Sequence, residues 1–309
     1  MDYTMFLETL RLELTQKLGE GQTLMIRPVP RNNGVTLDGL SIRTPDSFLT
    51  PTVYLNPYYQ QFKEGMSIED ICKDIVGLFG ENLLSNQFSE EKLADFESMQ
   101  PRIMMRLIHK DSNLGLLQDV PHIPYLDLSI VFHLFLEHNS CGQMTVLIHN
   151  DLLEQWQVNA QALLRLALKN TPVSYPPRIK SMIDVMKDIA RRNLGDDYDE
   201  EHLDQLLKEN EGGSPLYVLS NQTGIYGACC ILYQNTLKNF ADSLGSDLII
   251  IPSSIHEVLL TPCSGELSYD YLNSMVTGIN HSEVPAEDQL SDHVYLYTRA
   301  DDRIHVIHT

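Results

Sequence analysis

The chain has 309 residues, of which 43% are hydrophobic, so it is long enough for two domains and apolar enough to form a buried core. Its 42 acidic and 22 basic residues give a formal net charge of −20. A surface this acidic repels phosphate backbones and anionic membranes, so we expect neither nucleic acid nor a membrane as a partner.

Residues 1–100 predict an N-terminal lobe of mixed helix and strand. Asp2 can cap an opening helix whose apolar residues recur at helical spacing. Two strand-like runs follow, joined through Asn32-Asn33-Gly34, and this sequence tolerates the positive φ angles that a tight β-hairpin needs. The segment 51–62 predicts a strand and an aromatic-rich turn. Ser67 can then cap a further helix, and a last helix covers residues 89–99.

Residues 101–309 predict a second α+β lobe. A strand over "RIMMRLIH" precedes a hairpin that turns between Asn139 and Gly142. Asn150 predicts the cap of one long helix, which Thr171-Pro172 ends. The stretch of about residues 174–213 is charged and predicts a helical, acidic connector. Its acidic run lacks the oxygen spacing and the turn glycine of a calcium loop.

Gly212-Gly213-Ser214-Pro215 is the clearest break in the pattern. After it, "LYVLSNQTGIYGACCIL" predicts a hairpin across Asn221 to Gly224, and a helix follows from about Asn235 to Leu244. Two strands that meet at a corner at Pro252, another helix and a final hairpin over "HVYLYTRADDRIHVI" complete the chain. The predicted fold class is α+β, with two lobes of mainly antiparallel β-hairpins and sheets packed against amphipathic helices.

The N-terminus and the cysteines favour the cytoplasm. Residues 1–4 carry no basic stretch before an apolar run, so we expect no signal peptide. No apolar run reaches the ~18 residues that a membrane helix needs. The five cysteines are irregularly spaced, and a disulfide between the adjacent Cys229 and Cys230 would be strained. Free, mostly buried thiols fit a reducing compartment, so we expect a cytoplasmic protein.

Six segments resemble an uncharacterised family from gut anaerobic bacteria that is defined by a domain of unknown function. They are "RNNGVTLDGLSIR", "PTVYLNPYYQQFKEG", "DVPHIPYLDLSIVF", "LYVLSNQTGIYGACCIL", "LIIIPSSIHEVLL" and "EDQLSDHVYLY", and they extend over nearly the whole chain. The resemblance implies a bacterial protein, and it implies no particular activity, cofactor or catalytic residue. The last two-thirds of the chain also resembles, more weakly, a second uncharacterised cytoplasmic bacterial family. Pro252 and Glu257 have counterparts in that family, whereas Ser253, Ser254 and His256 do not, which speaks against a shared catalytic role.

Several chemistries lack their sequence signatures. The chain has no G-x-x-x-x-G-K-[ST] phosphate loop, no G-x-G-x-x-G that opens a helix, no G-x-S-x-G elbow and no C-x-x-C pair. His256-Glu257 does not begin an H-E-x-x-H zinc motif, because Leu260 stands where the second histidine is needed. His281-Ser282-Glu283 matches the H-x-E part of a zinc deaminase signature, but no P-C-x-x-C follows it. We therefore expect no metal ion and no cofactor.

The polar cluster at residues 253–257 leaves two interpretations open. In a catalytic site, Ser253 or Ser254 would act as the nucleophile and would need His256 as a base and Glu257 to orient it. However, adjacent side chains on an extended strand point to opposite faces, so His256 and Glu257 cannot easily serve the same serine. In the simpler interpretation, the hydroxyls cap backbone groups at a turn.

Two further groups of residues are candidates. His122 and Asp127, in "PHIPYLDL", could complete a catalytic site from a distant part of the chain. Tyr54, Tyr58 and Tyr59 could form a binding surface, because tyrosine is favoured at interfaces. The sequence favours a non-catalytic module that binds a protein or a small ligand over a hydrolase-like enzyme that uses the cluster at 253–257.

Overall fold

A computed structural model describes residues 1–19, 21–43, 51–81, 89–139, 142–194, 215–263 and 269–307. Its helices are α1 (Tyr3–Lys17), α2 (Leu55–Lys63), α3 (Ile68–Glu81), α4 (Glu90–Ala94), α5 (Phe96–Met99), α6 (Leu114–Leu117), α7 (Asn150–Trp156), α8 (Ala160–Ser174), α9 (Met182–Leu194), α10 (Thr236–Leu244) and α11 (Tyr269–Glu283). Its strands are β1 (Thr23–Pro30), β2 (Thr36–Arg43), β3 (Val53–Tyr54), β4 (Ile103–His109), β5 (His122–Tyr125), β6 (Leu128–Asn139), β7 (Gly142–Leu147), β8 (Pro177–Ser181), β9 (Tyr217–Asn221), β10 (Leu248–Ile251), β11 (Val258–Pro262), β12 (Tyr295–Thr298) and β13 (Arg303–Val306). Every strand pairing among the described residues is antiparallel, which together with the helices confirms the predicted α+β class.

The N-terminal part contains a three-stranded sheet in the order β1-β2-β3, on which α1 and α2 pack, and α3 packs on these two helices. The predicted β-hairpin is confirmed, and its turn places Asn33 at φ 57° and Gly34 at φ 72°. The predicted aromatic turn is wrong, because the chain forms α2 from Leu55 onward. Pro57 lies in the first turn of that helix, where a missing N–H removes no helical hydrogen bond. The buried core of this part comprises Phe6, Leu10, Leu14, Leu40, Ile42, Leu55, Ile71, Cys72 and Ile75.

Strand β6 is the centre of a four-stranded sheet, with β4 along one side and β5 and β7 sharing the other. The predicted strand and hairpin are confirmed in this sheet. The single helix predicted after Asn150 is instead two helices, because Gln157 adopts φ 55° at the end of α7 and the Asn159 side chain caps α8. The predicted helix end at Pro172 is also wrong, since α8 continues past this residue.

Helix α8 covers the outer edge of β4. Thr171 Oγ1 accepts a hydrogen bond from the Met105 backbone N–H at 3.1 Å. Asn170 Nδ2 donates to the carbonyl oxygens of Gln100 at 2.7 Å and Ile103 at 3.1 Å. These side-chain bonds satisfy backbone groups that would otherwise be open to pairing with another chain.

A six-stranded sheet has the order β13-β12-β10-β11-β9-β8. Two predictions are confirmed in this sheet: the corner between β10 and β11, and the final hairpin, formed by β12 and β13. The sheet also contains β8 where a helical connector was predicted; α9 follows β8, and residues 195–213 of that connector lie outside the described residues. The second strand predicted after Asn221 is instead a 3-10 helix, Gly227–Leu232. Gly227 packs so tightly against β9 and the corner that a Cβ there would lie 2.5 Å from the His256 carbonyl oxygen.

The larger hydrophobic core joins residues of the four-stranded and six-stranded sheets with α7, α8 and α10. Trp156 is buried in it, as its position in the predicted helix suggested, and donates from Nε1 to the Leu93 carbonyl oxygen at 2.9 Å. Leu93 and Met99 belong to this core and not to the N-terminal one. The division into lobes at residue 100 stays a prediction. Within the described ranges, no helix combines the length and hydrophobicity needed to cross a bilayer.

Candidate functional site

The corner between β10 and β11 is held by Ser254. Its Oγ accepts hydrogen bonds from the backbone N–H groups of His256 at 3.1 Å and Glu257 at 3.2 Å. This is the pattern of a serine that caps a turn. The Ile255 N–H donates to the Asp288 carbonyl oxygen at 2.8 Å, which ties the corner to the segment before β12. Burial raises the pKa of the Glu257 carboxyl, against the lowering effect of the nearby His256.

Both ring nitrogens of His256 have partners. Nδ1 accepts a hydrogen bond from the Tyr226 backbone N–H at 3.2 Å, and Nε2 lies 3.3 Å from Asp288 Oδ1. Because Nδ1 accepts a hydrogen bond, the proton of the neutral ring lies on Nε2, and Nε2–H donates a hydrogen bond to Asp288. These bonds direct the imidazole away from the role of base for Ser253 or Ser254, which would need one ring nitrogen at the serine hydroxyl.

Asp127 and His122 have partners of their own. Asp127 accepts hydrogen bonds from Ser291 Oγ at 2.5 Å, His293 Nδ1 at 3.0 Å and the Tyr295 hydroxyl at 2.6 Å. Burial acts to raise the pKa of the Asp127 carboxyl, but these donors outweigh it and lower the pKa. His122 Nδ1 pairs instead with the backbone carbonyl oxygen of residue 120 at 3.1 Å. The bond of His122 leads away from the serines at 253 and 254. Asp127 lies closer to them, because the Ser291 backbone N–H donates to the Pro252 carbonyl oxygen at 3.3 Å, but its carboxylate is occupied by these three donors.

Tyr226 connects the corner to the four-stranded sheet. It precedes the 3-10 helix and has φ 54°, an unusual conformation for a bulky residue. Its ring stacks on His256, with centroids 5.9 Å apart and planes 15° apart, and its centroid lies 5.5 Å from that of His133. The Arg106 guanidinium carbon lies 4.7 Å from the Tyr226 ring centroid. We call Arg106, His133, Tyr226, His256 and Asp288 the inter-sheet cluster.

Arg106 and His133 are diagonal neighbours on one face of the four-stranded sheet. In the β4–β6 pairing, Met104 lies opposite His133 and Arg106 lies opposite Val131, and alternate residues of a strand share a face. His133 is 1% exposed. Burial, followed by the positive charge of Arg106, lowers the pKa of His133 to about 3, so its ring is neutral.

Three buried nitrogen atoms of this pair lack hydrogen-bond partners within the described part of the chain. They are Arg106 Nε and both ring nitrogens of His133. Most buried polar atoms in proteins have a partner, because an unmade hydrogen bond leaves the cost of desolvation uncompensated. The inter-sheet cluster therefore holds unused hydrogen-bonding capacity.

The segment 285–291, which supplies Asp288, also receives the tip of the N-terminal hairpin. Asn32 Nδ2 donates to the carbonyl oxygen of residue 287 at 2.9 Å. Asn33 Nδ2 donates to the carbonyl oxygens of residues 286 and 289 at 2.8 and 2.7 Å. Asn113 Oδ1 accepts the Asn33 backbone N–H, and Asn113 Nδ2 donates to Asn33 Oδ1, both at 2.8 Å. The N-terminal sheet is thus bonded to the segment that also contacts His256.

The three tyrosines predicted to form a binding surface are half-buried, and the hydroxyl of each has a different partner. The partners are Arg31 Nη1 for Tyr54 at 2.9 Å, Asp74 Oδ2 for Tyr58 at 2.6 Å and the Met1 carbonyl oxygen for Tyr59 at 3.2 Å. The Tyr59 ring packs within an aromatic group with Tyr3, Phe6 and Phe62. These contacts explain the tyrosines as parts of the N-terminal fold, and their role in binding stays a prediction.

Sequence reasoning missed Arg106, His133, Tyr226 and Asp288. A signal for part of the cluster was present, because His133 interrupts the long apolar run that forms β6, and Arg106 interrupts the apolar run of β4. A charged or imidazole side chain inside a buried strand needs a partner. Tyr226 and Asp288 reach the cluster from connecting segments, whose approach depends on tertiary packing that no local pattern encodes.

No group of three or more histidine, cysteine, aspartate or glutamate side chains among the described residues is placed to hold a metal ion.

The sequence of residues 3–299 matches the family model DUF5688, described as a family of unknown function. No curated protein and no solved structure matches the chain.

Proposed function

The chain belongs to DUF5688, a family of unknown function, and from that premise we propose that it is a binding module that takes a ligand at the inter-sheet cluster. The observation that carries the proposal is that Arg106 Nε and both His133 ring nitrogens are buried without a hydrogen-bond partner in the described part of the chain. Leaving such atoms without partners destabilises a folded chain. Binding sites are the places where a few polar groups are positioned for a partner that comes from outside.

The conformation of Tyr226 supports the same location. A left-handed backbone at a non-glycine residue costs about 1–3 kcal/mol, and such strain concentrates at ligand sites. The Tyr226 N–H is held by His256, and the Tyr226 ring is held between neighbouring side chains of the cluster. Arg106, Tyr226 and His256 are half-buried while His133 is buried, so a ligand would enter past the first three residues. A cytoplasmic location and a small-ligand partner are part of this proposal.

A hydrolase that uses Ser253 or Ser254 with His256 is the alternative. The contact between His256 and Asp288 favours it, because a histidine oriented by an acid is one component of a serine hydrolase site. The backbone N–H groups bonded to His256 Nδ1 and to Ser254 Oγ oppose it, since they occupy atoms that catalysis would use.

A fluorophosphonate probe separates the two functions. We expect no labelling of the folded wild-type protein, measured by mass spectrometry of the intact chain. The matched controls are Ser253→Ala and Ser254→Ala. Labelling of the wild type that one of these variants abolishes would establish a reactive serine and contradict the binding proposal.

Binding itself is tested by differential scanning fluorimetry with four small probes, namely inorganic phosphate, acetate, acetamide and methylammonium. A ligand that binds only the folded state raises the Tm as its concentration increases. We expect at least one probe to raise the Tm of the wild type and to lose this effect in Arg106→Gln. Four unresponsive probes would contradict a site at the inter-sheet cluster.

A further inference from the structure

Arg106 carries a charge that no described carboxylate neutralises. Its guanidinium is always protonated, and the ion pairs of the described residues do not include it. Its contact with the Tyr226 ring places a quadrupole and no net negative charge beside it. The chain has 42 acidic residues, and none of the described ones forms an ion pair with this half-buried arginine.

The carboxylates of Asp288 and Glu257 form no ion pair with Arg106 among the described residues. Asp288 accepts a hydrogen bond from His256 Nε2, and Glu257 follows His256 at the corner, where burial raises the pKa of its carboxyl. Arg106 is the one guanidinium of the inter-sheet cluster, and no ion pair of the described residues compensates its charge.

His133 adds a hydrogen-bond donor beside this charge. A neutral imidazole has one N–H donor and one acceptor nitrogen, and neither has a partner among the described residues. An oxygen that accepted both the His133 N–H and the Arg106 Nε–H would satisfy both donors. If that oxygen carried negative charge, it would also neutralise the guanidinium, whereas a cation would be repelled and a neutral carbonyl would leave the charge uncompensated.

We propose that the inter-sheet cluster binds a small oxyanion, a carboxylate or phosphate group, between the Arg106 guanidinium and the His133 imidazole. This inference rests on the proposed binding function and adds the chemical class of the ligand. The Tyr226 ring, fixed by its backbone bond to His256, keeps the guanidinium in position. The Asp288 carboxylate is bonded to His256 and forms no ion pair with Arg106 among the described residues.

Isothermal titration calorimetry of the full chain in a chloride buffer at constant ionic strength tests the inference. The probes are sodium acetate, inorganic phosphate and acetamide, which is the neutral isostere of acetate. We expect saturable binding of acetate or phosphate and none of acetamide, and the stronger of the two oxyanions identifies the group that the site prefers. In Arg106→Gln the affinity should fall at least about tenfold, because a hydrogen bond to a charged group is lost.

Two variants keep the test specific. His133→Leu removes the second donor and replaces a buried imidazole by a side chain that needs no partner, so it should fold and lose oxyanion affinity. Arg299→Gln removes the same charge from an exposed arginine that pairs with Asp242, and it should bind like the wild type.

The outcomes separate the ligand class from the binding function. Oxyanion binding that Arg106→Gln leaves unchanged, or that Arg299→Gln weakens equally, would overturn the inference by placing the anion elsewhere. Binding of acetamide that depends on Arg106, without binding of acetate or phosphate, would overturn the oxyanion inference while the binding function stands. The absence of binding by every probe would overturn both.

Discussion

The neutral His133 links folding to pH. An exposed histidine in the unfolded chain has a pKa of about 6.5, whereas burial and then Arg106 lower the pKa of the folded-state His133 to about 3. Between these values the unfolded chain binds a proton that the folded chain does not, so stability falls as the pH drops below about 6.5. His133 alone can change the free energy of unfolding by at most about 1.4 kcal/mol per pH unit.

The variant His133→Leu should remove this component. Urea unfolding at pH 7 and pH 5 measures it: the wild type should lose more free energy of unfolding over this interval than the variant loses. The difference between the two proteins isolates His133 from other titrating groups, including Glu257, whose raised pKa has the opposite effect on the slope. Equal losses in both proteins would show that His133 takes up a proton in the folded state.

At the level of single residues, the sequence predicted the role of Ser254 better than it predicted the location of the candidate site. The simpler interpretation of Ser254, a hydroxyl that caps a turn, agrees with its two backbone bonds. A local pattern of polar residues predicts that kind of contact, because all its atoms lie within a few residues. No local pattern could predict the contacts of the His256 ring, because its partners, Tyr226 and Asp288, lie about thirty residues away along the chain on either side.

Among the short elements, the 3-10 helix depends on a close approach at its first residue. A Cβ on Gly227 would lie 2.5 Å from the His256 carbonyl oxygen and 2.8 Å from the Asn221 backbone nitrogen, besides contacting the Ser220 hydroxyl. Backbone atoms on two sides cannot both move away. We expect Gly227→Ala to lower the free energy of unfolding by about 1–3 kcal/mol.

Gly77→Ala is the matched control. Gly77 lies inside α3, and a Cβ there would have no atom within 4 Å. Alanine in a helix interior is more stable than glycine by about 0.5–1 kcal/mol, so this variant should be more stable than the wild type. Urea unfolding of both variants should give changes of opposite sign. A neutral Gly227→Ala would show that the corner and the 3-10 helix separate without cost.

The elements that were predicted correctly have their determinants in local sequence. The cap of α1, the hairpin turn at Asn33 and the cap of α3 need only residues within one turn. The wrong predictions are segments where tertiary contacts decide. Strand β8 pairs with β9, and the 3-10 helix after Tyr226 packs closely on the corner at Gly227. Neither contact leaves a periodic signal.

In the whole molecule, charge repulsion opposes folding. A net charge of −20 is more concentrated in the folded chain than in the unfolded one. Raising NaCl from about 0.01 M to about 0.15 M shortens the Debye length from about 30 Å to about 8 Å and screens this repulsion. We expect the Tm at pH 7.5 to rise over this range, by about 2–4 °C for each kcal/mol of repulsion removed.

The same titration at about pH 5 is the control, because the sequence pI is ≈ 4.8 and little net charge remains to be screened there. The increase in Tm should then shrink or vanish. An equal increase at both pH values would indicate a salt effect other than charge screening.

The contact between the N-terminal hairpin and segment 285–291 also has a chemical consequence for ageing of the protein. In an Asn-Gly pair the glycine nitrogen can attack the asparagine side-chain carbonyl and expel ammonia, and water then opens the resulting succinimide to an aspartate or isoaspartate. At Asn33 this change would replace the amide that donates to the carbonyl oxygens of residues 286 and 289 with a carboxylate that they repel. While the tip is docked, these bonds hold the amide away from the attack, so deamidation should occur in molecules whose tip has detached and should then prevent it from docking again.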